Sequence, residues 1–154
     1  MNTKVLPKCE NPLLFGDFLI KSFNLANESK LISIKELTLS IHALSSLFIL
    51  ITSHGLDYPN YYTYLYHLVT YLKEIFQLEE KHKFLWLLEI SLKSSKVSSK
   101  IVASFMKWFL WTCIEKYMDS DNVVVYLLSL VCVLINKHPE TKIMINQSLV
   151  ENVD

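Results

Sequence analysis

The side chains of this chain that could do chemistry are concentrated in one stretch. Five of its eight tyrosines fall between His54 and Leu68, in the run HGLDYPNYYTYLYHL, behind Gly55 and around Pro59. Rings with hydroxyl tips can fill a core with the tip reaching a partner or water, or stand outward and meet another molecule. On a helix beginning near Pro59, Tyr61, Tyr62, Leu65, Tyr66, Leu68, Val69 and Leu72 fall within one broad arc, which predicts core rings. Tyr64 and Tyr71 lie beside or beyond that arc. With Tyr58 and Pro59 they are the candidates for surface recognition.

The other reactive groups do not assemble into a catalytic pattern. His42, His54, His67, His82 and His138 are scattered, with no H-E-x-x-H run and no Cys/His cluster of metal-ligand spacing. Glycine occurs only at Gly16 and Gly55, which leaves no phosphate loop. Ser45, Ser46 and the serines between 94 and 99 have no adjacent base or nucleophile elbow, and Glu79 with Glu80 reads as a solvated turn. Cys9, Cys113 and Cys132 are odd in number and far apart, which predicts buried free thiols in a reducing compartment. The expectation is a chain that is not an enzyme, with no catalytic residue, cofactor, metal or small-molecule substrate.

Charge narrows the partners. Fifteen basic residues balance fifteen acidic ones, and every basic residue is a lysine. Without arginine, no guanidinium fork is available to grip phosphate bidentately. The lysines are uneven: residues 73–107 carry a net charge of +3 and residues 108–154 a net −3. Lys81, Lys83, Lys93, Lys96, Lys100 and Lys107 are the candidates for contact with RNA phosphate, set against the plainer reading of a solvated helix face.

The elements that position these residues read as helices throughout. Asn11 before Pro12 is a start signal for PLLFGDFLIKSF, which the polar run NLANESK should end. A second helix is expected from about Leu31 to Ser53, with Ile34, Leu37, Ile41, Leu44, Phe48 and Ile51 on one face, Leu47 and Leu50 widening it, and Gly55 closing it. A third follows Pro59, a fourth is built around FLWLLEISL, and a fifth runs from Lys100 to Met118. Asp119 to Asp121 open a sixth, which Lys137, His138 and Pro139 close, and a last turn follows. The longest uncharged apolar run, Val123–Ile135, would span about 20 Å as a helix, short of the ~30 Å hydrocarbon layer. It is expected as a helix buried on nearly every side, and the chain as soluble, intracellular and without membrane contact. The fold class is therefore all-α, with antiparallel helix pairs stacked as an α-solenoid of HEAT-like type.

Four segments carry a more specific likeness. LFILITSHGLDYPNYYTYLYHL resembles a pattern approximating L-F-I-L-I-x(3)-N-L-D-Y-P-x-F-Y-x-K-L-Y-x-L-L, through Leu47 to Ile51, Leu56, Asp57, Tyr58, Pro59, Tyr62, Leu65, Tyr66 and Leu68. NPLLFGDFLIKSF, KFLWLLEISLKSSKVSSKIVASFMKWF and LINKHPETKIMI resemble further segments of the same family, in the same order. The family is that of nucleolar complex protein four, whose C-terminal region is a CCAAT-binding-factor domain. The resemblance runs from about Asn11 to Ile145, and the expected organisation is an extension (1–10), the helical domain (11–146) and a tail (147–154).

That resemblance implies a non-catalytic helical scaffold of the nucleus and nucleolus. It implies work in the small-subunit processome with a nucleolar protein fourteen-like partner and other processome proteins, supporting processing and assembly of small-subunit rRNA. The alternatives are direct pre-rRNA binding through the lysine face and a generic helical adaptor. Lys137 and His138, in the segment resembling the family's K-R-H-P, join the partner-binding candidates. The chain departs from the pattern where the family has arginines, now Lys83, Trp108 and Trp111, where a helix glycine becomes Ser46, and where a lysine becomes Tyr64. The long helical-repeat region that precedes this domain in the family is expected to be missing.

Overall fold

Helical periodicity becomes eight α-helices and no strand among the described residues, which are 10–28, 33–115 and 121–146 of a computed structural model. A 3-10 turn, Pro12–Phe15, leads into α1 (Gly16–Glu28). There follow α2 (Ile34–His54), α3 (Tyr61–Val69), α4 (Leu72–Ile75), α5 (Lys81–Leu92), α6 (Ser99–Glu115), α7 (Asp121–Lys137) and α8 (Thr141–Asn146). The chain divides into two compact units, 1–88 and 89–154, with the boundary inside α5. Both tails beyond the described residues, Cys9, and the expected residues Lys116 to Ser120 of the α6–α7 connection lie outside the description.

In the first unit, the helix ends follow local chemistry. Pro12 opens the 3-10 turn at a position that needs no N–H donor, whereas the Asn11 side chain makes no cap bond. The run NLANESK does not end α1 at Phe23. The helix continues to Glu28, because Leu25 and Ala26 favour the helical state and neither Gly nor Pro intervenes. The next helix starts at Ile34, three residues later than Leu31, because Ser33 caps it. The Glu36 N–H donates to Ser33 Oγ at 3.2 Å and the Ser33 N–H donates to Glu36 Oε2 at 2.8 Å, a reciprocal capping box. Gly55 ends α2 at φ 67°, a left-handed turn that costs glycine little.

The core face of α2 is wider than the expected stripe. Leu37, Ile41, Leu44, Leu47 and Leu50 are each at most 1% exposed, whereas Ile34 is 69% exposed and Phe48 and Ile51 are half-buried. The difference is α1, which packs along the side of α2 that carries Ser40 and Ala43. Ser40 Oγ, fully buried there, donates to the Ser22 carbonyl at 3.2 Å, and Ser22 Oγ donates to the Phe18 carbonyl at 2.8 Å. A buried hydroxyl is tolerated when it has such an acceptor. By length and composition α2 is the one helix among the described residues apolar enough to cross a membrane, but half of that window is already buried within the protein. Its apolar content closes a core.

In the second unit, α6 packs against α7 and α8. Its inward side carries Val102, Phe105, Met106, Phe109 and Cys113, facing a neighbourhood that also buries Val123, Leu127, Leu130, Val131 and Leu134 of α7. The expectation that Val123–Ile135 is buried on nearly every side is corrected here. Val125 is 66% exposed, Leu128 43% and Val133 36%, and Cys132 is exposed as well. α7 is enclosed along one face only, and nothing among the described residues covers the other. Cys113 is the buried free thiol that was anticipated, and burial pushes its ionisation up.

Candidate interaction surfaces

The tyrosine run forms an aromatic cluster between α1 and α3. Phe23 of α1 is fully buried at its centre, with Tyr61 stacked at 6.1 Å and Tyr58 and Tyr64 edge-on at 6.4 and 6.3 Å. Tyr58 and Tyr64 stack on each other at 6.1 Å with planes 9° apart, and Tyr62 stands edge-on to Tyr61 at 5.2 Å. Tyr58 Oη donates to Asn24 Oδ1 at 2.7 Å, which joins the loop before α3 to α1. Burial pushes the Tyr58 phenol up to about 12, a rise that the Asn24 bond moderates and Tyr64 adds to. Burial alone raises the Tyr62 and Tyr66 phenols.

This placement bears directly on the recognition candidates. Tyr58 and Tyr64, expected as outward rings, are half-buried and packed on Phe23 and each other; Tyr71 is half-buried, and Pro59 is exposed. The arc also breaks earlier than expected. Thr70 ends α3, where its N–H and hydroxyl both reach the His67 carbonyl, at 3.0 and 2.7 Å, so Tyr71 and Leu72 start a separate turn.

Lys137 is exposed, but His138 is buried, only 6% exposed. Its ring Nε2 donates to the Leu92 carbonyl at 2.9 Å, an acceptor left over at the end of α5, and that bond assigns the proton to Nε2. Its own N–H returns to the Leu134 carbonyl at 2.8 Å, and Thr141 Oγ1 donates to the His138 carbonyl at 2.6 Å. The K-H-P segment thus ties the ends of α5, α7 and α8 together, and at the rim His138 Nδ1 lies 3.6 Å from Glu140 Oε1. Its position, invisible to spacing rules, follows from where the last turn of α5 points.

The six lysines do not behave alike. Lys81 and Lys83 belong to the first unit, and Lys93, Lys96, Lys100 and Lys107 to the second. Lys83 Nζ donates to His42 Nδ1 at 3.4 Å, and His42 Nε2 lies 3.5 Å from Glu80 Oε1. Lys93 pairs with Glu89 one turn before it. Lys81 is half-buried, and Lys96, Lys100 and Lys107 are exposed with no ion pair among the described residues. No group of residues able to hold a metal ion occurs among the described residues. A groove between α1 and α2, lined by Phe18, Ser22, Leu39, His42, Ala43 and Ser46, has a volume of about 70 Å³. Small-molecule sites run to roughly 300–1,000 Å³. The described surface also presents helix faces, among them the exposed Trp86, Trp111, Ile114, Val125 and Leu128.

The described residues form an all-α fold, and the sequence says to which family the chain belongs. The CBF/Mak21 family profile matches residues 40–154, and the chain belongs to that family. It is 34% identical over 97% of its length to Protein NUCLEOLAR COMPLEX ASSOCIATED 4 of Arabidopsis thaliana, covering 23% of that protein. It is 28% identical to Nucleolar complex protein 4 of Saccharomyces cerevisiae over 99% of its length, and 28% identical to Nucleolar complex protein 4 homolog of Homo sapiens over 93%, covering 26% and 25% of those proteins. The chain thus spans about a quarter of the length of the curated relatives it matches. No solved structure matches it. Kinship with nucleolar complex proteins across plants, fungi and animals places the chain in the nucleus, at the nucleolus.

Proposed function

We propose that this chain is a non-catalytic helical scaffold in ribosome biogenesis, supporting processing and assembly of small-subunit rRNA within the small-subunit processome. It acts by binding a nucleolar protein partner, of the nucleolar protein fourteen type, through helix faces. The observation that carries this reading is the collinear likeness to nucleolar complex protein 4 over nearly the whole chain, together with the family match over residues 40–154. The surface is consistent with it: large apolar side chains stand exposed on α6 and α7, where a protein partner would bury them. Affinity purification of the tagged full chain from its native cell tests the reading. The expected result is recovery of small-subunit processome proteins, and a purification without them would contradict it.

Direct contact with pre-rRNA is the second reading, favoured by the exposed Lys96, Lys100 and Lys107. If it holds, neutralising each of these in turn weakens RNA binding and lowers the salt slope of log K by roughly one unit. Binding indifferent to salt and to all three substitutions would remove it.

A further inference from the structure

The outward face of α6 has the spacing of a helix–helix seam and is exposed among the described residues. Lys100, Ser104, Lys107, Trp111 and Ile114 recur at steps of four and three, which at about 100° per residue confines them to a narrow arc along one side. All five are exposed: Trp111 by 48% and Ile114 by 70%, with Lys100, Ser104 and Lys107 open to solvent as well. The opposite side of the same helix buries Val102, Phe105, Met106, Phe109 and Cys113. Alternating steps of four and three are the spacing that lets side chains interdigitate with a second helix. The seam runs about 21 Å at a rise of ~1.5 Å per residue.

Its charge selects the occupant. The half toward the start of α6 is cationic, and no acidic residue of α6 lies within a turn of Lys100 or Lys107. Neither lysine has an ion pair among the described residues. The other half is Trp111 and Ile114, which gain by leaving water. A polynucleotide could stack a base on Trp111 but would leave Ile114, the most exposed apolar side chain of the seam, unmatched. An aliphatic side chain offers neither phosphate nor base a partner. By contrast, Val125, Leu128, Ser129 and Cys132, exposed on α7, are all uncharged.

We infer that α6 is a docking seam for an acidic amphipathic helix of a partner protein, whose carboxylates meet Lys100 and Lys107 and whose apolar residues cover Trp111 and Ile114. This deepens the scaffold reading above and rests on it. The test is a photo-crosslinking amino acid placed at Ser104 in the full chain, expressed in its native cell, with adducts mapped by mass spectrometry. The expected adduct is an acidic amphipathic protein segment, reduced at least tenfold by Lys107→Glu and by Trp111→Ala, while circular dichroism shows both variants folded. Adducts to RNA, adducts to a basic or uncharged segment, yields undiminished by folded variants, or yields no higher than from a crosslinker at Lys35 would each overturn the proposal. Sedimentation of the wild-type chain in the same extracts separates the two readings. A chain that travels with pre-ribosomal particles but gives no such adduct loses the seam and keeps the scaffold role; a chain that does not travel with them loses both.

Discussion

At the residue scale, several side chains that look like contacts are internal fasteners. Tyr58 binds Asn24 while its ring packs on Phe23 and Tyr64. Tyr58→Phe keeps the packing and removes the bond, so it should lower stability by about 1 kcal/mol in urea denaturation. Its raised phenol also sets a pH dependence. With the folded value above the ordinary 10.0, the neutral form is favoured by folding. The associated stability is whole below pH 10 and is lost as pH rises toward about 12. Alkaline titration followed by tyrosinate absorbance should show late-titrating phenols that are released together with loss of helical dichroism. Thr112 supplies the opposite case: its buried hydroxyl has no hydrogen-bond partner among the described residues. Thr112→Val should therefore raise stability by about 1 kcal/mol, measured the same way.

At the element scale, what was legible in the chain was the chemistry that acts locally. The cap at Gly55 and the stop at Pro139 follow from neighbours a few residues apart. The capping box of Ser33 and Glu36 was equally local, yet the apolar Leu31 and Ile32 drew the expected start of α2 toward them. Ser33→Ala removes a side-chain acceptor from an exposed helix start and should cost about 1 kcal/mol without disturbing the core. Long-range placements were not legible. Which side of α2 meets α1, and that the α5 carbonyl at Leu92 waits for His138, depend on how helices cross, which hydrophobic periodicity does not encode. His138→Ala strands a buried acceptor at the end of α5 and should cost about 1–3 kcal/mol.

At the scale of the whole molecule, the family was more legible than the surface, because motif order survives substitutions that rearrange which groups face outward. The tyrosine run carried the likeness yet packs its rings half-buried or buried, while α7, expected to be buried on nearly every side, presents an exposed apolar row, as does the end of α6. Helix amphipathicity identifies a buried face readily, but an apolar residue on the outer face looks the same in sequence until the neighbour's position is known. The scaffold of small-subunit assembly proposed above would act on ribosome production without performing chemistry. Its most direct test is depletion of this chain from its native cell, with pre-rRNA followed by hybridisation and ribosomal subunits by gradient sedimentation. The predicted result is accumulation of unprocessed small-subunit precursor and a fall in small relative to large subunits, restored by re-expressing the full chain. Normal precursor levels and an unchanged subunit ratio after full depletion would contradict it.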